Sequence, residues 1–116
     1  MAAGRRAERV ARQVVQSLAT IVESEANDPR LVGVTFTGAR MTDDLRNVRV
    51  FFCVFGDAKA AREAAFGLEK ANGFLRRELA RRLELRYVPT LAFELDDTVV
   101  TAERLEALFT GERDGS

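Results

Sequence analysis

Over the first 25 positions, apolar residues recur at spacings of three and four. Ala7, Val10, Ala11, Val14, Leu18, Ile21 and Val22 fall on one stripe, which predicts an amphipathic helix over about Arg5 to Glu25 that must pack against another layer. Asn27, Asp28 and Pro29 end it, because proline disfavours helical geometry in the residue before it. The period then changes to two. Val34-Thr35-Phe36-Thr37 alternates apolar with polar residues and predicts a strand. The run from Val48 to Phe55 is apolar at every position but Arg49, as in a central strand with at least part of both faces covered. Between them, Thr42 to Asn47 is rich in turn residues, so the two strands should form a hairpin.

Helical spacing returns after Gly56-Asp57. Ala61, Ala64, Ala65 and Leu68 make a narrow stripe of small residues; Leu75, Leu79 and Leu83 make a second one beyond a break at Ala71-Asn72-Gly73. Asn-Gly ordinarily marks a hairpin. With helix on both sides it predicts a sharp junction in which Ala71 gives close contact and Gly73 backbone freedom, so that Gly73→Val should strain the chain. Val88 to Leu95 predicts a third strand, apolar at 91, 93 and 95, with Pro89 confining its start to an edge or strand entry. A short last helix is expected near Ala102 to Phe109, then a disordered polar tail over 110–116. Because a helical crossover returns the next strand parallel and right-handed, the expected fold class is α+β. The order is α-β-β-α-α-β, a three-stranded mixed sheet with helices packed on one face, in a single domain over residues 1–109.

Composition narrows the chemistry. With 116 residues, 47% hydrophobic and 31% charged, the chain fits one globular domain. No apolar run approaches the ~20 residues that span a bilayer, and the charged N-terminal segment lacks a signal-peptide core, so no membrane partner and a cytoplasmic location are expected. One cysteine, Cys53, and no histidine exclude an internal disulfide and a cysteine-based zinc cluster, and leave Cys53 as a small packing residue. Neither a cofactor nor a metal is expected.

Eighteen basic and eighteen acidic residues give zero net charge, but the distribution is uneven. From residue 70 to 86, Lys70, Arg76, Arg77, Arg81, Arg82 and Arg86 oppose only Glu78 and Glu84, six charges against two, a local net of +4. Such a directional field suits a polyanion. These six are the candidate nucleic-acid-binding residues, with Arg77 and Arg81 one turn apart opposite the leucine stripe; the alternative is solvated arginines paired with Glu78 and Glu84. Arg5 and Arg9, beside Arg6 and Arg12, form a second cluster at a helix end where the macrodipole least favours positive charge. Two readings stay open there, a solvated face or a phosphate contact. Arg30 could anchor its turn through a carboxylate or touch a nucleic acid. A different class of function, a module whose basic helix binds an acidic protein, also fits the charge. Catalysis does not. Asp43-Asp44 and Asp96-Asp97 could hold metals for phosphodiester cleavage only if brought together, and adjacent residues on an extended chain point to opposite sides. With no catalytic residue set in sight, the protein is expected not to be an enzyme.

Several segments in order resemble the ribosome-binding factor A family of bacterial small-subunit assembly factors. They are Asp28-Pro29-Arg30-Leu31, Asp43-Asp44-Leu45, Ala71-Asn72-Gly73 with Leu75-Arg76, and Leu85-Arg86-Tyr87-Val88-Pro89 running into Leu91 to Asp96; the likeness covers about residues 6 to 109. The resemblance implies a type II KH-like domain whose Gly-x-x-Gly loop is replaced by an Ala-x-Gly kink, which residues 71–73 fit. It also implies a non-catalytic factor, a monomer when free, that binds the immature small (30S) subunit and its 16S rRNA and assists maturation of the 5′ end. An ordinary KH domain clamps backbone with the missing loop. Arginine forks would therefore carry RNA contact here.

Overall fold

The computed structural model describes residues 4–24 and 28–96. Along them run α1 (Arg5–Ser24), a 3-10 turn (Pro29–Leu31), β1 (Val34–Met41), β2 (Asn47–Val54), α2 (Ala58–Lys70), α3 (Asn72–Arg82) and β3 (Thr90–Leu95). The sheet order is β1-β2-β3, with β1 antiparallel and β3 parallel to β2. The expected α+β order and mixed sheet are thus present, with β2 central and the proline-led β3 at an edge. The helix expected near 102–109, the tail 110–116 and Asp97 lie outside the described residues.

One core holds the layers together. The α1 stripe buries Ala7, Val10, Ala11, Val14, Leu18 and Ile21; α2 adds Ala64 and Leu68, and α3 adds Leu75 and Leu79. Along β2 the inward residues Val48, Val50, Phe52 and Val54 are buried, while Arg49, Phe51 and Cys53 on the other face remain exposed or half-exposed. The helices therefore cover one face of the sheet.

β1 continues four residues past the point where alternation stops at Thr37. Phe36 faces Phe52, but Gly38 faces Phe51, so one extra residue is inserted at Thr37. This β-bulge flips the parity of the strand: Val34 and Phe36 meet the core before it, Ala39 and Met41 after it. In the hairpin turn, Asp44 accepts from the Thr42 hydroxyl at 2.6 Å and the Arg46 N–H at 3.0 Å. Leu45 is buried there with φ 62°. Asp43 accepts from the Gly4 N–H at 2.5 Å, capping α1 from 39 residues away.

The junction between α2 and α3 corrects one expectation. Its break is the single residue Ala71 (φ −88°, ψ 0°), and Gly73 lies inside α3 without a positive φ. A Cβ added at Gly73 would meet only the mobile Arg77 guanidinium, at 3.3 Å. Gly67 is where space is lacking: a Cβ there would meet Leu31 at 3.1 Å and both Arg30 and Asp28 at 3.3 Å, because the 3-10 turn sits directly on α2. Asn72 has a tertiary role, its side-chain amide donating to the Leu91 carbonyl at 2.8 Å.

Candidate nucleic-acid interface

Asn72 is tied to Leu91, and Arg76 Nε donates to the Pro89 carbonyl at 2.7 Å, so α3 runs antiparallel to β3 toward the hairpin end of the sheet. Arg76 is half-buried and holds the loop into β3, a structural duty the charge pattern did not show. Arg77 and Arg81 are exposed, as expected for the face opposite Leu75 and Leu79. Glu78 accepts from Arg81 at 2.6 Å and lies 3.5 Å from Arg82 Nε. The Arg81 hydrogen bond, chiefly, holds the Glu78 carboxyl below its usual range. The Arg81 side chain is about two-thirds exposed, so a phosphate can reach its guanidinium and compete with Glu78. Among the described residues, no carboxylate lies within ion-pair distance of Arg77.

Lys70 is the last residue of α2, at its junction with α3. Its Nζ is 5.5 Å from the Phe66 ring centre, with Arg30 at 4.9 Å, and the ring is 56% exposed. Arg30 is held by both oxygens of Asp28, Nε at 2.8 Å and Nη2 at 2.6 Å, so the turn-anchoring reading is the one observed. The same side-chain hydrogen bonds lower the Asp28 pKa.

Arg5 and Arg9 are exposed on the first turns of α1, and the Gly4 to Asp43 bond sets that end beside the hairpin turn. β3 enters at the same turn, where the Thr90 N–H donates to the Arg46 carbonyl at 2.8 Å. Arg86 and Tyr87 immediately precede this entry, with Arg46 against the Tyr87 ring. Residues remote in sequence, Arg5, Arg9, Arg46 and Arg86, are thereby gathered at one end of the fold. Asp96, in contrast, follows the last residue of β3, where it accepts from the Thr37 hydroxyl at 2.5 Å. A six-residue strand, roughly 20 Å long, separates it from Asp43 and Asp44, so these carboxylates do not form a common site. Among the described residues no cluster of three or more metal-ligating side chains occurs. Burial, then Asp96, pushes the Cys53 thiol up, away from the reactive thiolate.

The description of the ribosome-binding factor A family matches residues 6–109. The chain belongs to that family. It is 41% identical over 117 residues to ribosome-binding factor A of Syntrophus aciditrophicus, covering 97% of this chain and 95% of that one. The fold is similar to the crystal structure of ribosome-binding factor A from Thermus thermophilus, with TM-score 0.67 and 27% identity over 77% of this chain and 94% of that one. It is also similar to a Thermus thermophilus ribosome-binding factor A homology model fitted into the cryo-electron microscopy map of a 30S complex, with TM-score 0.62 and 27% identity over 76% and 92% of the two chains.

Within this family member, several basic residues escaped the reading by charge density. Arg40 and Arg49 face one another across β1 and β2, a like-charged pair that costs stability, and Arg49 pairs with Glu94 at 2.7 Å. With Arg12 of α1 they are among the residues lining a groove of about 1170 Å³. The bulge at Thr37 hid the facing of Arg40, since parity counted from Phe36 puts it on the wrong side. Arg46 escaped because only tertiary contact brings it to Tyr87.

Proposed function

We propose that this protein binds the immature small ribosomal subunit through 16S rRNA and assists late maturation, including processing of the RNA 5′ end, without cutting RNA itself. Membership of the ribosome-binding factor A family carries the reading, supported by a structural relative fitted into a 30S complex. In this account Lys70, Arg76, Arg77, Arg81, Arg82 and Arg86, with Arg5 and Arg9, supply the RNA contacts. Guanidinium forks hold phosphates, so recognition is of RNA shape and backbone. The protein acts as a monomer in the cytoplasm, favouring one local RNA conformation because it binds that conformation more tightly than its competitors.

The test has two parts. In cell extracts the protein should comigrate with free small subunits and lose that association after ribonuclease treatment; association that survives would instead favour an acidic protein partner. The purified protein should leave precursor RNA uncut with or without magnesium, while cells lacking it accumulate free subunits with an unprocessed 5′ end. Magnesium-dependent cleavage abolished by Asp→Asn changes at Asp43, Asp44, Asp96 and Asp97 would overturn the non-catalytic assignment.

A further inference from the structure

Tyr87 stands in the loop between α3 and β3 with 42% of its surface exposed, next to Val88 at 46%. The Arg46 guanidinium lies 3.9 Å over its ring centre, and that of Arg86 lies 5.5 Å away. Both sides of this stack are fixed by backbone. The Arg46 N–H donates to Asp44 and its carbonyl accepts from Thr90, three residues after Tyr87, while buried Pro89 is held between them by Arg76. No ion pair to a carboxylate holds either guanidinium among the described residues.

Alternative duties explain this arrangement poorly. A guanidinium on a ring steadies the loop, but that duty alone does not account for Tyr87 and Val88 standing 42% and 46% exposed. An acidic protein surface would be met by the charges, yet would leave the π face unused. A nucleotide satisfies both parts, since its base presents a flat π surface to the stack and its phosphate is an anion for Arg46 or Arg86. We propose that Tyr87 and Arg46 form a stacking platform for an unpaired RNA base, with Arg86 at its phosphate. This rests on the RNA-binding reading above and adds a contact to base planes that the phosphate-holding arginines of α3 do not provide.

Stacking and charge separate experimentally, because removing a stacked base lowers affinity at every salt concentration while the number of phosphates neutralised sets the salt slope. Affinity for purified free small subunits should fall between about 5- and 150-fold in Tyr87→Ala, with its salt slope unchanged, and Tyr87→Phe should bind like the parent. Arg46→Lys keeps the charge but removes the plane, so it should weaken binding with the same slope. Melting curves of each variant check that the fold is intact, and ultraviolet irradiation of the parent complex should leave a nucleotide adduct on Tyr87. Parent affinity in both Tyr87→Ala and Arg46→Lys, or adducts only elsewhere on the chain, would overturn the platform while leaving RNA binding standing. Loss of no more than salt-dependent affinity in Tyr87→Ala would overturn it too, by reducing the site to charge. Failure of the parent to contact RNA at all would sink the broader reading first.

Discussion

Valine placed at Gly67 and at Gly73 should have very different consequences, although both glycines are helical. Valine is roughly 0.4 kcal/mol better than glycine in a helix interior, so propensity alone would slightly stabilise either variant. Packing separates them. At Gly67 the first added carbon already meets Leu31 at 3.1 Å and Arg30 and Asp28 at 3.3 Å. Two of those neighbours are locked to each other by the Arg30–Asp28 pair, and Leu31 is buried. Two further methyl carbons add to this crowding against the 3-10 turn, which puts the cost in the usual ~1 to 3 kcal/mol range of overpacking. At Gly73 the lone neighbour is the end of the Arg77 side chain, which can swing away, so the effect should lie within about 0.5 kcal/mol. For a domain of this size 1 kcal/mol moves Tm by roughly 4 to 8 °C. Thermal melts followed by circular dichroism should therefore place Gly67→Val about 4 °C or more below Gly73→Val. Equal melting temperatures, or a lower one for Gly73→Val, would refute the assignment of the tight contact to Gly67 and restore Gly73 as the strained position.

Two further outcomes follow from caps and carboxylates. Glu84 closes α3 in the left-handed region at φ 51°, with Leu85 N–H donating to Ala80 O and Glu84 N–H to Arg81 O. That conformation costs a side-chain-bearing residue about 1 kcal/mol, so Glu84→Gly should raise Tm by roughly 4 to 8 °C, and a lowered Tm would argue against this cap. Asp28, Asp44 and Glu78 all have folded pKa values below their reference values of 3.8, 3.8 and 4.5, through Arg30, Thr42 and Arg81 respectively. Depressed carboxylates contribute stability above the unfolded pKa and lose it as pH falls through the folded one. Tm should thus stay level in this respect from neutral pH to about 5 and drop below about 4, less steeply in Asp28→Asn; an identical acid limb in that variant would contradict the role of the pair.

The elements that could be read from the chain are those whose period survives unbroken. Helix α1 follows from periodicity because each side chain's facing depends only on its neighbours, whereas the continuous apolar run of β2 marks a central strand without showing which residues face inward. Strand β1 was legible only to Thr37, because one inserted residue reverses every later facing. The 3-10 turn over Pro29–Leu31 rests on an Asp28 cap and on space opened by Gly67, 36 or more positions away, which no local pattern encodes. A similar limit held at the interface. Charge density singled out the arginines of α3 and allowed their pairing with Glu78, but it could not tell that Arg76 is tied to Pro89. It also missed Arg40 and Arg46, which stand alone in sequence and join other basic groups only through sheet register and the hairpin turn.

The most direct measurement is the affinity of the protein for free small subunits across 50 to 200 mM salt, taken for the parent and for Arg77→Glu combined with Arg81→Glu. If the basic surface neutralises about five phosphates, parent affinity should fall by roughly two to three decades over that range. The double variant, folded as judged by its melt, should bind more weakly at low salt and lose about two units of the salt slope, one for each phosphate contact removed. Parent affinity that is flat with salt, and a double variant that binds like the parent, would contradict the claim that these arginines hold RNA.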